Sequence, residues 1–242
     1  MSLYIAKFGG SSLTDKEKRA MALQQVRALK ERGSVVAVVS AMGRKGDPYA
    51  TDTLLGLISP ETDMKTKDLL MSCGETISAC VFASELNSAG LGALAMSAPE
   101  AGICARGGFG SADITGLSNR NIEKALEAGL IPVITGFQGL DADSRVHTLG
   151  RGGSDTSAVA LGGLLGADEV HIFTDVPGIA DKDPKTNPDA VFYEELSYDD
   201  ALSMAENGAK VIHPRAVALG KQYSVPVRVR CTFDNAPGTI IK

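Results

Sequence analysis

Two glycine-rich segments, far apart in the chain, carry residue types that bind anions. Residues 7–12 read Lys-Phe-Gly-Gly-Ser-Ser, and residues 150–157 read Gly-Arg-Gly-Gly-Ser-Asp-Thr-Ser. Each segment is typical of a strand or loop that opens into a helix, where unpaired N–H groups and the helix dipole favour an anion. Each also supplies hydroxyl groups and a cation, Lys7 or Arg151. Together they predict a site for more than one anionic group, such as a phosphoryl donor that faces a carboxylate acceptor.

The composition is that of an ordinary globular protein and argues against several functional classes. The 242 residues are 44% hydrophobic and 22% charged, which allows a substantial core. A net charge of −5, no cluster of basic residues and 5% aromatic residues argue against nucleic acid as a partner. The cysteines and histidines are dispersed, so we expect neither zinc nor disulfides and predict a cytoplasmic location. We recognise no signal peptide and no apolar run of membrane-spanning length, so no membrane partner is expected.

The apolar pattern predicts strands that alternate with helices. The runs at 35–40 and 130–136 lack polar alternation, which is typical of parallel strands covered on both faces. Further strands are predicted at 3–8, 92–96, 102–106, 113–116, 169–175, 225–231 and 239–241, and 145–149 is predicted as part of a hairpin. Helices are predicted at 14–33, 51–58, 68–87, 118–128, 154–165, 197–207 and 214–223. This alternation predicts one α/β domain with a mostly parallel sheet and two lobes.

A series of short motifs runs in order along nearly the whole chain. They are Lys-Phe-Gly-Gly-Ser-Ser at 7–12, Val-Val-Ser-Ala-Met-Gly at 38–43, Ser-Cys-Gly-Glu-Thr-Ile-Ser at 72–78, Gly-Phe-Gln-Gly at 136–139, Leu-Gly-Arg-Gly-Gly-Ser-Asp-Thr at 149–156, Thr-Asp-Val-Pro-Gly-Ile at 174–179 and Gly-Ala-Lys-Val-Ile-His-Pro at 208–214. The number and order of these motifs resemble those in the catalytic domain of the aspartate kinases, within the amino acid kinase family. The resemblance implies a three-layer αβα sandwich, with an amino-acid-binding lobe over about 1–140 and a nucleotide-binding lobe over about 141–242. It also implies the reaction, in which ATP and L-aspartate give ADP and 4-phospho-L-aspartate.

The resemblance assigns the catalytic role to Lys7 and Asp155. Lys7 would stabilise charge on the transferring phosphoryl group, and Asp155 would orient the catalytic lysines. Each residue also has a simpler interpretation from its local pattern alone. Lys7 is compatible with a solvated charge at a strand end, and Asp155 is compatible with an ordinary helix cap.

The resemblance implies an acceptor site that holds both charged groups of an α-amino acid. The implied residues are Ser40, Thr51, Glu75, Arg151, Gly152, Gly153 and Ser154. Arg151 would clamp a carboxylate with its planar fork, and Glu75 would bind the α-amino group. Simpler interpretations are a surface charge for Arg151, a charge near a helix start for Glu75 and a helix cap for Thr51. Phe137 is equally compatible with the core and with a pocket wall.

The nucleotide site implied by the resemblance comprises Lys7, Phe8, Gly9, Gly10, Thr174, Asp175, Lys185 and Lys210. Thr174 and Asp175 end a predicted buried strand, at the edge where open α/β sheets bind ligands. The sequence departs from the family pattern at Ala180, where an aromatic residue is common, and at Lys185, where an arginine is usual. The implied cofactor is ATP with Mg²⁺, held mainly by the nucleotide phosphates and by no dedicated protein site.

The resemblance also sets expectations for partners. Family members commonly continue into paired ACT domains that bind lysine or threonine, whereas this sequence ends soon after residues 238–240. We therefore expect either a freestanding catalytic subunit that is insensitive to lysine, threonine and methionine, or a separate regulatory ACT-domain chain. A homodimer would use the catalytic domain's own helices or strand edges. Two other functions stay open: a sister kinase for another carboxylate or carbamate, and a non-catalytic nucleotide-binding protein.

Overall fold

The computed structural model describes residues 2–182, 186–187, 189–206 and 212–242. Its strands are β1 (Leu3–Phe8), β2 (Ser34–Val39), β3 (Ala93–Met96), β4 (Ile103–Arg106), β5 (Asp113–Leu117), β6 (Ile131–Thr135), β7 (Gln138–Leu140), β8 (Val146–Thr148), β9 (Glu169–Thr174), β10 (Glu195–Leu196), β11 (Val227–Cys231) and β12 (Thr239–Ile241). Its helices are α1 (Gly10–Leu13), α2 (Lys16–Lys30), α3 (Thr51–Leu55), α4 (Met64–Ser88), α5 (Ala98–Ala101), α6 (Arg120–Glu127), α7 (Gly153–Leu165), α8 (Tyr198–Glu206) and α9 (Pro214–Tyr223). The predicted strands and helices are thereby confirmed, most of them within a few residues.

The main sheet has eight strands in the order β10-β12-β11-β9-β1-β2-β6-β3. Neighbouring strands are parallel except for the antiparallel pair of β11 and β12, so the predicted mostly parallel sheet is confirmed. Strand β1 lies at the centre, where Lys7 stands beside Val38 of β2 and Ile172 of β9. The strands of this sheet up to β6, which ends at Thr135, form one side of it, and the strands from β9, which begins at Glu169, form the other.

Helices cover both faces of the main sheet. On one face α2 and α4 pack through apolar side chains such as Val26 and Phe82. On the other face α7 packs against β1 and β9 and is flanked by α9. Helix α7 can pack this closely because Gly162 has no side chain. A Cβ atom at this position would lie only 2.3 Å from Val170 Cγ2. The predicted three-layer αβα sandwich is confirmed, and it fixes α7 directly behind the central strand.

A second, four-stranded sheet in the order β5-β4-β7-β8 was not predicted. Its strands β4 and β5 were expected only as short separate strands, β8 was expected in a hairpin, and its hairpin partner β7 was not identified. Strand β7 spans only Gln138–Leu140, which is too short for a periodic pattern to be read. For the same reason α1, α5 and β10 were missed. This sheet contacts α4 and α7, and β8 leads directly into the glycine-rich segment at 150–157.

Helix α4 is longer and more apolar than the sequence pattern suggested. It begins at Met64, because the side chain of Asp63 accepts a hydrogen bond from the Thr66 N–H. By length and composition alone it would suffice to cross a membrane, so the expectation that no segment would was wrong. Half of the apolar window is buried inside the protein. Its inner side chains, among them Phe82 and Leu86, are part of the core beneath the main sheet, which accounts for this apolar content.

Candidate active site

The carboxyl ends of the central strands meet at one edge of the main sheet. Lys7 is near the end of β1, Ser40 directly follows β2, and Thr174 ends β9. The strand order changes direction at β1. Its neighbour on one side is β2, the next strand in the sequence, and its neighbour on the other side is β9, from much later in the sequence. Open α/β sheets bind ligands at such a switch point. The fold therefore brings these three residues to the edge where a ligand is expected.

Lys7 and Asp155 form an ion pair at this edge. Lys7 Nζ lies 2.6 Å from Asp155 Oδ1, and the two side chains are 11% and 14% exposed. Asp155 lies in the first turn of α7, but the N-cap of that helix is Gly152 and no side chain caps it. The interpretation of Asp155 as a helix cap is therefore wrong. The carboxylate fixes the position of the Lys7 ammonium group. The lysine side chain stays slightly exposed, so a ligand can contact it.

A cavity of about 460 Å³ opens beside this ion pair. Its wall includes the predicted catalytic and acceptor-binding residues Lys7, Ser40, Thr51, Glu75, Arg151, Gly152, Gly153, Ser154 and Asp155. The remaining wall is formed by Asp52, Leu55, Met64, Met71, Gly110, Phe137, Thr148 and Gly150. The residues predicted for catalysis and for the acceptor thus share one cavity, although they come from distant parts of the sequence.

Glu75 is a buried carboxyl group in the wall of this cavity, with 2% of its surface exposed. It lies in the middle of α4, so its interpretation as a charge near a helix start is wrong. Its Oε1 atom accepts a hydrogen bond of 3.0 Å from the Ala41 N–H. Its Oε2 atom is buried and has no hydrogen-bond partner among the described residues. Burial raises the pKa of Glu75 to about 7, against the opposing effect of the hydrogen bond from Ala41. A cationic ligand group would satisfy this oxygen and stabilise its charge.

The raised pKa of Glu75 predicts a pH-dependent stability. The folded protein holds this proton more tightly than the unfolded chain, where the pKa is near 4.5. The wild type should therefore lose stability relative to Glu75→Gln as the pH rises from 4.5 towards 7 and above, by on the order of 3 kcal/mol in total. Urea unfolding of the ligand-free protein across this range measures the difference. Glu127→Gln, at an exposed glutamate that ends α6, is the matched control for the loss of a carboxyl group at the surface. A flat difference for Glu75→Gln would contradict the buried, protonated state.

Arg151 lies between two glycines that have left-handed backbone conformations. The φ angle is +73° at Gly150 and +68° at Gly152, a region that side-chain-bearing residues rarely adopt. At Gly152 a Cβ atom would also lie 2.3 Å from the Cβ atom of His213. The side chain of Arg151 is exposed and makes no hydrogen bond or ion pair within the described residues. Its guanidinium group is therefore available to a ligand that enters the cavity.

The conformation of Gly152 leads to a prediction with a matched control. Gly152 and Gly166 precede and follow α7 with nearly equal φ angles of +68° and +65°, but a Cβ atom on Gly166 would have no neighbour within 4 Å. Gly166→Ala should lower the free energy of unfolding by about 1–2 kcal/mol, the cost of left-handed backbone. Gly152→Ala should cost about 1–3 kcal/mol more, because the methyl group collides with His213. Chemical denaturation measures both values. Equal losses would mean that His213 yields without cost.

The structure settles two interpretations that the sequence left open. Phe137 is partly exposed, lines the cavity and has a positive φ angle of 69°. Its N–H donates to Ser157 Oγ and its carbonyl accepts from the Leu149 N–H, which hold this uncommon conformation. Phe137 is therefore a pocket wall. Thr51 is the first residue of α3, but Ala50 is the N-cap and no side chain caps that helix, so the capping interpretation of Thr51 is wrong.

The glycine-rich turn after β1 offers mainly its backbone to a ligand. The Phe8 side chain is fully buried and stacks on Phe173 at 4.8 Å, so it does not reach a nucleotide. A Cβ atom on Gly10 would lie 2.6 Å from the Ala41 carbonyl oxygen. Gly10 is thus required by this close backbone approach. A Cβ atom on Gly9 would lie 3.4 Å from Lys7 Nζ, so Gly9 leaves room beside the lysine.

The other predicted nucleotide residues lie outside the cavity or outside the described residues. Thr174 Oγ1 donates to Asp175 Oδ1, and Asp175 Oδ2 lies 3.0 Å from Arg44 Nη2. This ion pair is well exposed, and it joins the loop after β2 to the end of β9. Lys185 and Lys210 fall outside the described residues. Their predicted contacts with ATP phosphates stay predictions.

Asp68 is a site residue that sequence reasoning missed. It is fully buried in α4, and its carboxylate accepts hydrogen bonds of 2.8 Å from the Gly110 N–H, the Thr148 N–H and the Thr148 hydroxyl. Gly110 and Thr148 both line the cavity. Asp68 therefore joins two loops of the cavity wall. An acidic residue at a predicted helix start is an ordinary pattern, so no signal in the sequence distinguished it.

The three-layer sandwich, with an ion-paired lysine and glycine-rich turns at the edge of its sheet, defines the amino acid kinase fold. The sequence model of the amino acid kinase family matches residues 2–231. The chain belongs to this family.

Individual relatives and solved structures show a narrower similarity. Aspartokinase 1 of Bacillus subtilis (strain 168) is 42% identical over 245 residues, which cover all of this chain and 61% of the relative. The crystal structure of aspartate kinase from Synechocystis has a TM-score of 0.84 at 34% identity and covers 99% of this chain and 39% of that one. The structure of E. coli aspartokinase III in complex with aspartate and ADP has a TM-score of 0.86 at 25% identity, over 99% of this chain and 64% of that one. The chain spans about three fifths of the length of the curated relatives.

Proposed function

We propose that this chain is the catalytic region of an aspartate kinase. It transfers the γ-phosphoryl group of ATP to the side-chain carboxylate of L-aspartate and produces 4-phospho-L-aspartate and ADP. This is the first step of the pathway to lysine, threonine and methionine. The observation that carries the proposal is that one cavity contains the Lys7–Asp155 ion pair, a Glu75 oxygen and the Arg151 side chain, the last two without a partner among the described residues. Similarity to aspartokinases over the whole chain supports the choice of acceptor.

In this proposal the acceptor is held by opposite charges. The Arg151 guanidinium binds a carboxylate of aspartate with two parallel hydrogen bonds. The α-ammonium group lies against Glu75, whose Oε2 atom has no other partner among the described residues. Binding therefore favours the ionised form of Glu75, and aspartate affinity rises as the pH passes through about 7. Ser40, Thr51 and Ser154 supply hydroxyl groups on the same wall.

The transfer step needs charge stabilisation more than proton transfer. The acceptor carboxylate is already ionised near neutral pH, since its ordinary pKa is about 4, so no general base is required. Its oxygen attacks the γ-phosphorus atom, the bond to the β–γ bridging oxygen breaks, and ADP leaves with the electron pair. The Lys7 ammonium group stabilises the charge on the transferring phosphoryl oxygens. Asp155 positions Lys7 through the 2.6 Å ion pair and takes no proton.

The nucleotide is assigned to the second half of the chain. We place the amino-acid-binding lobe at about 1–140 and the nucleotide-binding lobe at about 141–242. The strand order supports this division, because β1, β2, β3 and β6 form one side of the main sheet and β9 to β12 form the other. The glycine-rich turn after β1, with Thr174, Asp175, Lys185 and Lys210, would hold ATP.

A Mg²⁺ ion carried by the ATP phosphates would neutralise part of their charge during transfer. Among the described residues, no group of three or more acidic, histidine or cysteine side chains is arranged to hold a metal. The ATP phosphates are the expected ligands of the ion, while the cavity wall contributes the cations Lys7 and Arg151. We assign the reaction to the cytoplasm, with which the four free cysteines are compatible.

A substrate panel tests the proposal. ADP release is followed in a coupled assay with ATP and Mg²⁺, with L-aspartate, with L-glutamate and with no acceptor. The proposal predicts release that requires aspartate and saturates with it. Turnover with another carboxylate but not with aspartate would identify a sister kinase. Nucleotide binding without turnover on any acceptor would identify a non-catalytic protein.

A further inference from the structure

The first turn of α9 forms hydrogen bonds to the loop that contains Arg151. Arg215 Nη1 donates a hydrogen bond of 2.5 Å to the Leu149 carbonyl, two residues before Arg151. Its Nη2 atom donates to the Ala112 carbonyl at 2.9 Å and lies 2.6 Å from Asp113 Oδ1. Arg215 does not line the cavity. The Arg215 guanidinium group therefore holds the backbone next to the cavity wall and does not itself line the cavity.

The same turn also contacts the chain on the other side of Arg151. His213 is the N-cap of α9, and its Nδ1 atom accepts a hydrogen bond of 3.3 Å from the Arg215 N–H. A Cβ atom on Gly152 would lie 2.3 Å from His213 Cγ, so the histidine packs directly on this glycine. Helix α9 thus holds residue 149 through Arg215 and residue 152 through His213.

These contacts add to those of the α7 N-terminus, where the Gly150 and Gly152 carbonyls accept hydrogen bonds from the Gly153 and Thr156 N–H groups. Arg151 is flanked by Gly150 and Gly152, and glycine has the largest conformational freedom of any residue. Its side chain has no partner within the described residues. A bidentate clamp requires a defined orientation of the guanidinium plane. That orientation must come from the backbone on either side, which α9 and the first turn of α7 hold together.

We propose that Arg215 is a positioning residue for the acceptor, which acts through Arg151 and touches no substrate. The inference rests on the proposed function, because it assumes that Arg151 binds aspartate. Loss of Arg215 releases the carbonyl of Leu149 and loosens the chain before Arg151, while α7 and His213 still hold Gly152. Aspartate binding weakens as a result, while ATP binding on the other side of the ion pair does not depend on this loop.

The test compares the apparent affinities for the two substrates in Arg215→Ala. The KM for aspartate should rise about tenfold or more, since misplacement of a positioning contact by about 1 Å costs up to a hundredfold. The KM for ATP should change less than about threefold. Arg215→Lys keeps the charge but cannot bridge the two carbonyl groups, so it should not restore the aspartate KM. The matched control is Asp113→Asn, which removes only the charge of a partner that is 76% exposed. Such exposed pairs contribute little, and its aspartate KM should stay near the wild-type value.

A double variant separates action through Arg151 from a general effect on the fold. If Arg215 acts through Arg151, then Arg151→Ala with Arg215→Ala should bind aspartate no worse than Arg151→Ala alone. Independent effects would instead multiply. Circular dichroism and thermal melting report whether each variant is folded.

The outcomes are distinct for this inference and for the proposed function. If the wild type is active with aspartate and Arg215→Ala has the same KM for aspartate as the wild type, the inference alone is overturned. Effects that multiply in the double variant would also overturn only the inference. Equal losses for aspartate and ATP would also overturn it, because they indicate a general structural role. A wild type that is folded but inactive with aspartate would overturn the proposed function and, with it, this inference.

Discussion

Replacing Lys7 with alanine is expected to lower kcat by about a hundredfold or more, the usual cost of losing a preorganised group that stabilises transition-state charge. Lys7 Nζ lies 2.6 Å from Asp155 Oδ1 at the carboxyl edge of the sheet. Its removal leaves the carboxylate without its cation and the phosphoryl group without a charge partner. Lys7 is near the end of β1, so the fold should survive. Initial rates at saturating ATP and aspartate measure the effect.

A matched lysine provides the control for this variant. Lys221 forms an ion pair with Asp199 in which the side chains are 53% and 74% exposed. Lys221→Ala removes a lysine–aspartate pair far from the cavity wall, and its kcat should stay within about twofold of the wild type. Near-normal turnover in a folded Lys7→Ala protein would contradict the catalytic role of Lys7. An equal loss in both variants would show that the effect is not specific to the site.

Replacing Arg151 with lysine is expected to raise the KM for aspartate by about tenfold or more, which corresponds to the loss of one charge-assisted hydrogen bond. Lysine keeps the positive charge but lacks the planar fork that matches a carboxylate. The KM for ATP should change far less, because Arg151 lies on the acceptor side of the cavity in the proposal. Steady-state kinetics with each substrate varied in turn measure the two constants.

Arg120→Lys is the control for this exchange. Arg120 is exposed at the start of α6 and lies outside the cavity wall, so neither KM should change. Equal increases for aspartate and ATP in Arg151→Lys would contradict the assignment of Arg151 to the acceptor. A preference of the wild type for an acceptor without an α-amino group would contradict the paired role of Arg151 and Glu75.

The sequence predicted much of the site because its strongest signals are local. Lys7 follows an apolar run and precedes two glycines, and parallel strands bring their carboxyl ends to one edge. The predicted catalytic and acceptor-binding residues therefore line one cavity in the structure. The main sheet was predictable for the same reason, since continuous apolar runs indicate strands that are covered on both faces.

The parts that could not be predicted depend on contacts between distant residues. No local pattern indicates the hydrogen bonds that Asp68 accepts from Gly110 and Thr148, or the one that Arg215 donates to Leu149. The interpretation of Glu75 as a charge near a helix start was wrong because the buried position of Glu75 in the middle of α4 depends on tertiary packing. Its raised pKa follows from tertiary burial alone.

Identification of the product tests the central claim most directly. An acyl phosphate reacts with hydroxylamine, whereas phosphate esters do not, so the trapped product reveals which group accepted the phosphoryl group. Incubation with ATP, Mg²⁺, L-aspartate and hydroxylamine should yield the β-hydroxamate of aspartate, in amounts equal to the ADP formed and far smaller in Lys7→Ala. ADP without hydroxamate, or a hydroxamate only when another carboxylate replaces aspartate, would contradict the account.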